Sequence, residues 1–130
     1  HIYKAVEMLV VALGCKAYVL LVDDKADEAE PHASRALMFA EQIFPPDDVR
    51  LFKSIRQLAN IKSGQDKLVD AQKYFKRAFD IVFQGHGPAH QETSQVTDEL
   101  VNVLIRLNKF EEAEKLVRKC HEAALKSGLD

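Results

Sequence analysis

Residues 66–72 read Asp66-Lys67-Leu68-Val69-Asp70-Ala71-Gln72, and they decide the fold because their pattern recurs every 42 residues along the chain. The stretches that begin at Asp24 and at Asn108 also have Lys in the second position and Ala in the sixth. A fixed period of this length is the signature of stacked like units, each covering its neighbour's apolar face. The sequence therefore predicts a single domain of three repeats, at about residues 5–46, 47–88 and 89–130.

Apolar residues recur at helical spacing along nearly the whole chain, as Leu68, Phe75, Phe79 and Val82 do in the second repeat. This spacing places them on one face of a helix, and no sustained alternation indicates a strand. The predicted fold class is therefore all-α, with a hairpin of two helices in each repeat. The six predicted helices span about residues 2–22, 25–43, 48–63, 67–84, 91–106 and 109–126.

Short polar residues and glycines mark the expected helix boundaries. Asp24, Asp66 and Asn108 each precede an apolar-periodic run, where a side-chain oxygen can accept the free N–H groups of a first helical turn. We therefore interpret these three residues as N-caps. Gly64 and Gly85 are predicted to end helices, because glycine adopts the left-handed conformation at little cost.

Composition bounds the possible functions. Of the 130 residues, 47% are apolar and 29% are charged, as in ordinary globular proteins. A net charge of -2 gives no electrostatic case for nucleic acid, so we expect no such partner. The two cysteines, Cys15 and Cys120, are too few for a disulfide framework and favour a reducing compartment, which predicts a cytoplasmic location.

The first residues raise two further expectations. The chain begins at His1 without a Met, which we interpret as an excerpt of a longer protein. Residues 8–22 are rich in Leu, Val and Ala, but their uninterrupted part is shorter than the roughly 20 residues that span a bilayer, and Lys16 lies in the middle. We therefore predict a buried helix here and no membrane insertion.

The repeats resemble tetratricopeptide repeats, specifically the 42-residue kind found in kinesin light chains. The family's small, aromatic, small pattern in the second helix is present as Ala71, Phe75 and Ala78, and residues 87–93 are similar to its long inter-repeat loop. The resemblance implies a right-handed superhelix of three helical hairpins. It also implies a non-catalytic scaffold or adaptor that binds a protein or peptide partner, with a cytoplasmic, cytoskeletal or ciliary location.

A second resemblance leads to an alternative. The run Ala78-Phe79-Asp80-Ile81 and the following residues 86–90 are similar to the C-terminal helical region of the lysine methyltransferases that contain SET and MYND domains. That region is itself tetratricopeptide-like. The alternative function is therefore a non-catalytic arm of such an enzyme. A third reading is a self-association module, because terminal repeats without a polar outer face can stack on a like chain.

The first helix of each repeat carries the candidate binding residues. In the tetratricopeptide geometry these helices line a concave groove, and polar residues of this chain occupy its phase, with positive charge in the second repeat and negative charge in the third. The competing interpretations are a solvated helix face and a groove that another part of the parent protein fills. The predicted groove residues are Lys53, Arg56, Gln57, Asn60, Gln95, Asp98, Glu99 and Asn102, and the equivalent positions of the first repeat are Val11, Gly14, Cys15, Tyr18 and Leu21.

No catalytic, metal or cofactor site is expected. His86 and His90 have a spacing that can bind a metal on a helix, but they straddle Gly87 and Pro88, so they do not share one helical face. We expect His90 to cap or bridge the loop between repeats. Cys120 occupies a small packing position, also held by Ala in the other repeats, and no local motif makes it a nucleophile.

Overall fold

The computed structural model describes residues 2–128 and, of Ile2, the backbone alone. Its α-helices are α1 (Ile2–Val22), α2 (Ala26–Ile43), α3 (Phe52–Gly64), α4 (Leu68–His86), α5 (Gln91–Arg106) and α6 (Phe110–Lys126), and a short 3-10 helix, Val49–Leu51, leads directly into α3. The described residues contain no strand, which confirms the predicted all-α class. The helices pack as three hairpins, α1 with α2, α3 with α4 and α5 with α6, and each hairpin packs on the next.

The turn inside each hairpin is a motif that ends a helix. Asp24, Asp66 and Asn108 all have φ of 61°, in the left-handed region. The next residue in each turn donates its N–H to the carbonyl five residues back, as Lys67 does to Lys62 at 2.9 Å. This is the Schellman arrangement, in which Asp or Asn can replace glycine because a short polar side chain tolerates left-handed backbone. The prediction that these residues are N-caps is therefore wrong. The residues at the N-cap positions, without side-chain capping bonds, are Lys25, Lys67 and Lys109.

Side-chain caps occur instead in the connections between hairpins. Asp48 precedes the 3-10 helix, and its carboxylate accepts the N–H of Arg50 at 2.8 Å. His90 precedes α5, and its Nδ1 accepts the N–H of Glu92 at 3.1 Å. The expectation that His90 caps the loop between repeats is confirmed. Each cap fixes the direction in which the first helix of a new hairpin starts.

Of the two predictions that a glycine ends a helix, the one for Gly64 agrees with the structure and the one for Gly85 does not. Gly64 is the last residue of α3, as predicted, whereas α4 runs past Gly85 to His86 and ends at Gly87, which has φ of 84°. A Cβ on Gly85 would lie 2.3 Å from Cγ1 of Val49, far closer than van der Waals contact allows. Gly85 is therefore required by the close approach of the preceding connection to α4.

The core has small residues between paired helices, with aromatic and branched aliphatic residues beside them. Ala29, Ala71 and Ala113, each one repeat apart, are 0%, 0% and 7% exposed. Because only a Cβ separates the backbones at these positions, the two helices of each hairpin can approach closely. Phe75 and Phe79 of α4 are buried in the same cluster as the apolar side of α5. The small and aromatic positions of the repeat thus hold the hairpins together.

The second helices of consecutive hairpins are joined by a repeated contact. Arg77 Nη2 on α4 lies 2.9 Å from Glu41 Oε2 on α2. One repeat later, Lys119 Nζ on α6 lies 4.9 Å from the ring centroid of Phe83 on α4. Glu41 and Phe83 are themselves 42 residues apart. The same position of the repeat therefore joins α2 to α4 by an ion pair and α4 to α6 by a cation–π interaction.

The structure contradicts the expectation that α1 is buried. Leu9 and Val19 are 39% and 64% exposed, whereas Leu51 and Ile61, one repeat later, are fully buried. The reason is that a preceding hairpin covers this side of α3, and none covers it on α1 within residues 2–128. By length and composition alone, Tyr3–Val22 could cross a membrane, with a mean hydropathy of 2.0. Among the side chains of residues 3–22 in α1, those of Leu13 and Ala17 are buried.

Candidate functional site

The first helices of the hairpins, α1, α3 and α5, lie side by side in one register. Gln57 on α3 contacts Gly14 on α1, and Arg56 on α3 contacts Glu99 on α5, and the residues of each pair are 43 positions apart. Because the repeat is 42 residues long, each first helix contacts the next one position beyond its own equivalent. We call the predicted binding residues of α3 and α5, with Val11, Gly14, Cys15 and Tyr18 of α1, the groove face.

An ion pair joins α3 to α5. Arg56 Nε lies 2.6 Å from Glu99 Oε1, and Arg56 Nη2 lies 2.9 Å from Glu99 Oε2. The side chains are only 34% and 24% exposed, and two parallel charge-assisted hydrogen bonds fix their relative orientation. The sequence predicts a positive α3 and a negative α5 facing a partner. Arg56 and Glu99 instead neutralise each other, so each helix has one charge fewer to offer to a partner.

A neutral contact at the equivalent place joins α1 to α3. Gln57 Nε2 donates a hydrogen bond to the carbonyl oxygen of Gly14 at 2.8 Å. A Cβ on Gly14 would lie 3.6 Å from the Gln57 amide oxygen, an ordinary contact distance. Arg56 and Gln57 therefore reach to opposite neighbours, and both hold the groove face together.

The other predicted groove residues point away from these contacts. Lys53 and Asn60 are two helical turns apart on α3, so they lie along one line of the helix, with Arg56 and Gln57 on either side of it. Across the three first helices this arrangement forms two rows. Within residues 2–128 no side-chain hydrogen bond or ion pair engages the α3 and α5 members of these rows. The rows are Val11, Lys53 and Gln95, and Tyr18, Asn60 and Asn102.

The ends of the groove face differ from its middle. Asp98 on α5 is the repeat equivalent of Arg56, and it is exposed because no further first helix follows α5 in the described residues. Val11 and Tyr18 on α1 are each 63% exposed. The groove face thus runs from an apolar end on α1 to an acidic edge on α5, with Lys53 as the unpaired cation between them.

The turn between α4 and α5 brings together residues that sequence reasoning kept apart. The rings of His86 and His90 stack with their centroids 4.1 Å apart. His86 Nε2 lies 3.5 Å from Glu92 Oε1. The two histidines do not share a helical face, as expected, but the chain reversal at Gly87 places one over the other. The turn at Gly87, and not the period of a helix, sets the spacing of this cluster, and Gly87-Pro88 between two histidines is the sequence signal for it.

Neither cysteine has a catalytic partner among the described residues. Cys120 Sγ lies 3.8 Å from Thr97 Oγ1, and burial raises the pKa of its thiol, which disfavours the nucleophilic thiolate. Cys15 is exposed on α1, in the groove face. The arrangement offers contact surfaces and hydrogen-bonding groups in place of an activated nucleophile.

Comparison with known proteins agrees with this architecture. Residues 50–126, more than half of the chain, match the family model described as tetratricopeptide repeat. The chain belongs to the tetratricopeptide repeat family. Among solved structures, this tetratricopeptide chain is similar to the TPR domain of Arabidopsis FLU, with a TM-score of 0.75 and 16% identity, over 94% of this chain and 98% of that one. At this identity the likeness concerns the fold alone. No curated protein matches the chain at a significant level.

Proposed function

We propose that this tetratricopeptide domain is a non-catalytic scaffold that binds an extended peptide segment of a partner protein along the groove face. The observation that carries the proposal is the division of labour on α3. Arg56 and Gln57 hold the neighbouring helices, and Lys53 and Asn60 are left to project between them. Repeats that stack in this way present an extended surface suited to such ligands.

The two rows define the chemistry of the partner. Exposed Val11 and Tyr18 offer apolar contact, Lys53 offers a positive charge, and Asn102 and Gln95 offer hydrogen bonds to peptide groups. Packed helices lie about 8–10 Å apart, and an extended chain covers roughly 3.3 Å per residue, so about three residues separate one helix from the next. The preferred segment therefore carries an apolar residue, an acidic residue about three positions away and an amide-bearing residue about three positions further.

The test is selection of binders from a random peptide library, followed by affinity measurement with variants. Lys53→Glu should weaken the selected peptides, whereas Lys73→Glu, which makes the same charge change on an exposed position of α4, should not. Asn60→Ala combined with Asn102→Ala should also weaken them, because the amides that can hydrogen-bond to the peptide are lost. Equal affinities for the Lys53 and Lys73 variants, or selected peptides without an acidic residue, would count against the groove.

Arg56 is unsuitable for this test. Reversal of its charge would place two carboxylates against each other in the pair with Glu99 and would loosen the packing of α3 on α5. A loss of binding in such a variant would therefore report on the fold. Within the described part of the chain, Lys53 makes no ion pair with a neighbouring helix, so its substitution tests the groove without disturbing the packing.

The finer versions of this function are an adaptor of the kinesin-light-chain type, in the cytoplasm or on the cytoskeleton, and a non-catalytic arm of a SET and MYND methyltransferase. The 42-residue period supports the first version. The residues around Phe79 and His86 support the second. Parental sequence distinguishes them, because further 42-residue repeats indicate an adaptor, whereas a SET core with Cys-rich zinc spacing indicates an enzyme arm.

Self-association is a second candidate, and the exposed apolar side of α1 favours it. Leu9 and Val19 occupy positions that a neighbouring hairpin buries in the next repeat, so the second helix of another copy could cover them. Sedimentation over a range of concentrations tests this. A dimer that Val19→Glu dissociates would support the candidate, and a monomer throughout would eliminate it.

A further inference from the structure

We propose that the junction between the second and third hairpins is a binding site for a zinc-class transition-metal ion, with His86, His90 and Glu92 as ligands. The three residues come from the end of α4, the N-cap of α5 and its first turn. One ligand atom from each lies within 4.8 Å of the others. The inference concerns this junction and does not depend on the groove.

The distances suit a single ion after small side-chain movements. Ligands at roughly 2.0–2.1 Å from a tetrahedral ion lie about 3.3 Å apart, and His86 Nε2 and Glu92 Oε1 are already 3.5 Å apart. The ring of His90 stacks on the ring of His86 with their centroids 4.1 Å apart, and it has to rotate so that one of its nitrogens faces His86 Nε2 and Glu92 Oε1. Both residues lie at the surface, so the rotation has to break only the ring stack and the hydrogen bond from the Glu92 N–H to His90 Nδ1. Water would complete the fourth position.

The donor set selects the class of metal. Two imidazole nitrogens and one carboxylate oxygen suit zinc and its neighbours among the transition metals, whereas calcium and magnesium prefer oxygen ligands alone. The carboxylate of Glu92 supplies negative charge at the start of α5, where the helix dipole disfavours a cation. The end of α4, whose dipole has the opposite sign, meets α5 at the same place and offsets that penalty.

Metal binding competes with one existing hydrogen bond. His90 Nδ1 accepts the N–H of Glu92 in the N-cap of α5. A metal at Nδ1 replaces that N–H, and a metal at Nε2 leaves the ring proton on Nδ1, so in either case the cap is lost. The amide of Glu92 therefore reports on occupancy of the site. The bound ion would strengthen the link from α4 to α5 that His86 and Glu92 already make.

The experiment is a zinc titration followed by calorimetry and by the amide spectrum, in a His1→Ala background so that no histidine outside the described residues contributes. The parent should bind one Zn²⁺, its melting temperature should rise, EDTA should reverse the rise, and the Glu92 amide resonance should shift. Loss of an outer hydrogen-bond partner typically weakens metal sites about 10–100-fold, and loss of a direct ligand should cost at least as much.

Three variants and a control make the assignment. His86→Gln and Glu92→Gln should each weaken zinc binding at least about ten-fold. His90→Asn should do the same while keeping an N-cap acceptor, which separates loss of the ligand from loss of the cap. His121→Gln, at an exposed position of α6, should bind zinc like the parent. No zinc binding by the parent, or equal weakening in the His121 variant, would overturn the proposal.

Discussion

Replacing Gly85 with Ala tests whether the connection between the first and second hairpins sets the packing of α4. Alanine in place of glycine inside a helix stabilises by about 1 kcal/mol, because it lowers the backbone entropy of the unfolded chain. Here the new Cβ would lie 2.3 Å from Val49 Cγ1, and overpacking of this kind costs about 1–3 kcal/mol. We therefore expect Gly85→Ala to destabilise the domain by up to about 2 kcal/mol.

Removing the obstructing methyl groups should reverse the sign. In Val49→Ala the nearest remaining atom of residue 49 is its Cβ, at 3.8 Å from the added methyl, which is an ordinary contact. Gly85→Ala should then stabilise by about 1 kcal/mol, because only the helix term remains. The two backgrounds should differ by about 1–3 kcal/mol, and this coupling measures the contact itself.

Urea denaturation of the four proteins in the cycle, followed by circular dichroism, gives the four free energies of unfolding. Tyrosine fluorescence should give coincident transitions, since a repeat array can lose cooperativity. The same effect of Gly85→Ala in both backgrounds would refute the reasoning. It would mean that Val49 does not approach α4 as the structure places it.

Three further outcomes are expected. Ala71→Leu should overpack the fully buried contact between α3 and α4 and cost about 1–3 kcal/mol in the same denaturation assay, so a neutral result would contradict the hairpin register. Lys67→Ser should stabilise by about 0.5–1 kcal/mol, because it adds a side-chain cap where α4 has none; no gain would favour Asp66 as the cap instead. The hydrogen bonds from Arg50 lower the pKa of Asp48 from 3.8 to about 2, so this carboxylate contributes stability above about pH 4 that is lost as the pH falls toward 2. Asp48→Asn should flatten the stability profile between pH 4 and 2, and parallel profiles would exclude this role.

The hairpin turns show that a sequence pattern can predict where a helix boundary lies and still predict the wrong role for the residue there. Asp24, Asp66 and Asn108 do mark the boundary between two helices, as their period predicts. Their role could not be decided from sequence, because a short polar side chain favours both an N-cap and the left-handed end of a helix. The role depends on which backbone groups the turn hydrogen-bonds. Here the N–H after each of these residues bonds to a carbonyl of the preceding helix, so the residue ends that helix.

The groove shows a different limit. Helical spacing correctly places Lys53, Arg56, Gln57 and Asn60 on one side of a helix. It cannot show that Arg56 reaches Glu99, because the separation of 43 residues depends on how far one hairpin slides along the next. The stacked histidines were missed for a related reason, since a turn and not a helix sets their separation. Contacts within one element follow from sequence period, whereas contacts between elements require the packing.

The contacts between consecutive hairpins suggest where partner specificity can change without loss of the fold. At one repeat position, α1 and α3 are joined by a hydrogen bond from the Gln57 side-chain amide to the Gly14 carbonyl. One repeat later, α3 and α5 are joined by the bidentate ion pair of Arg56 and Glu99. On the other side of the solenoid the equivalent links are an ion pair and a cation–π contact. At each position equivalent pairs of helices are joined in successive repeats while the chemistry of the contact changes. A substitution of Arg56 or Arg77 therefore needs a matching change in its partner on the neighbouring hairpin. Among the described residues, the side chains of Lys53 and Asn60 make no such contact between hairpins. Single substitutions in their rows can therefore change which peptide binds while the hairpins stay stacked as before.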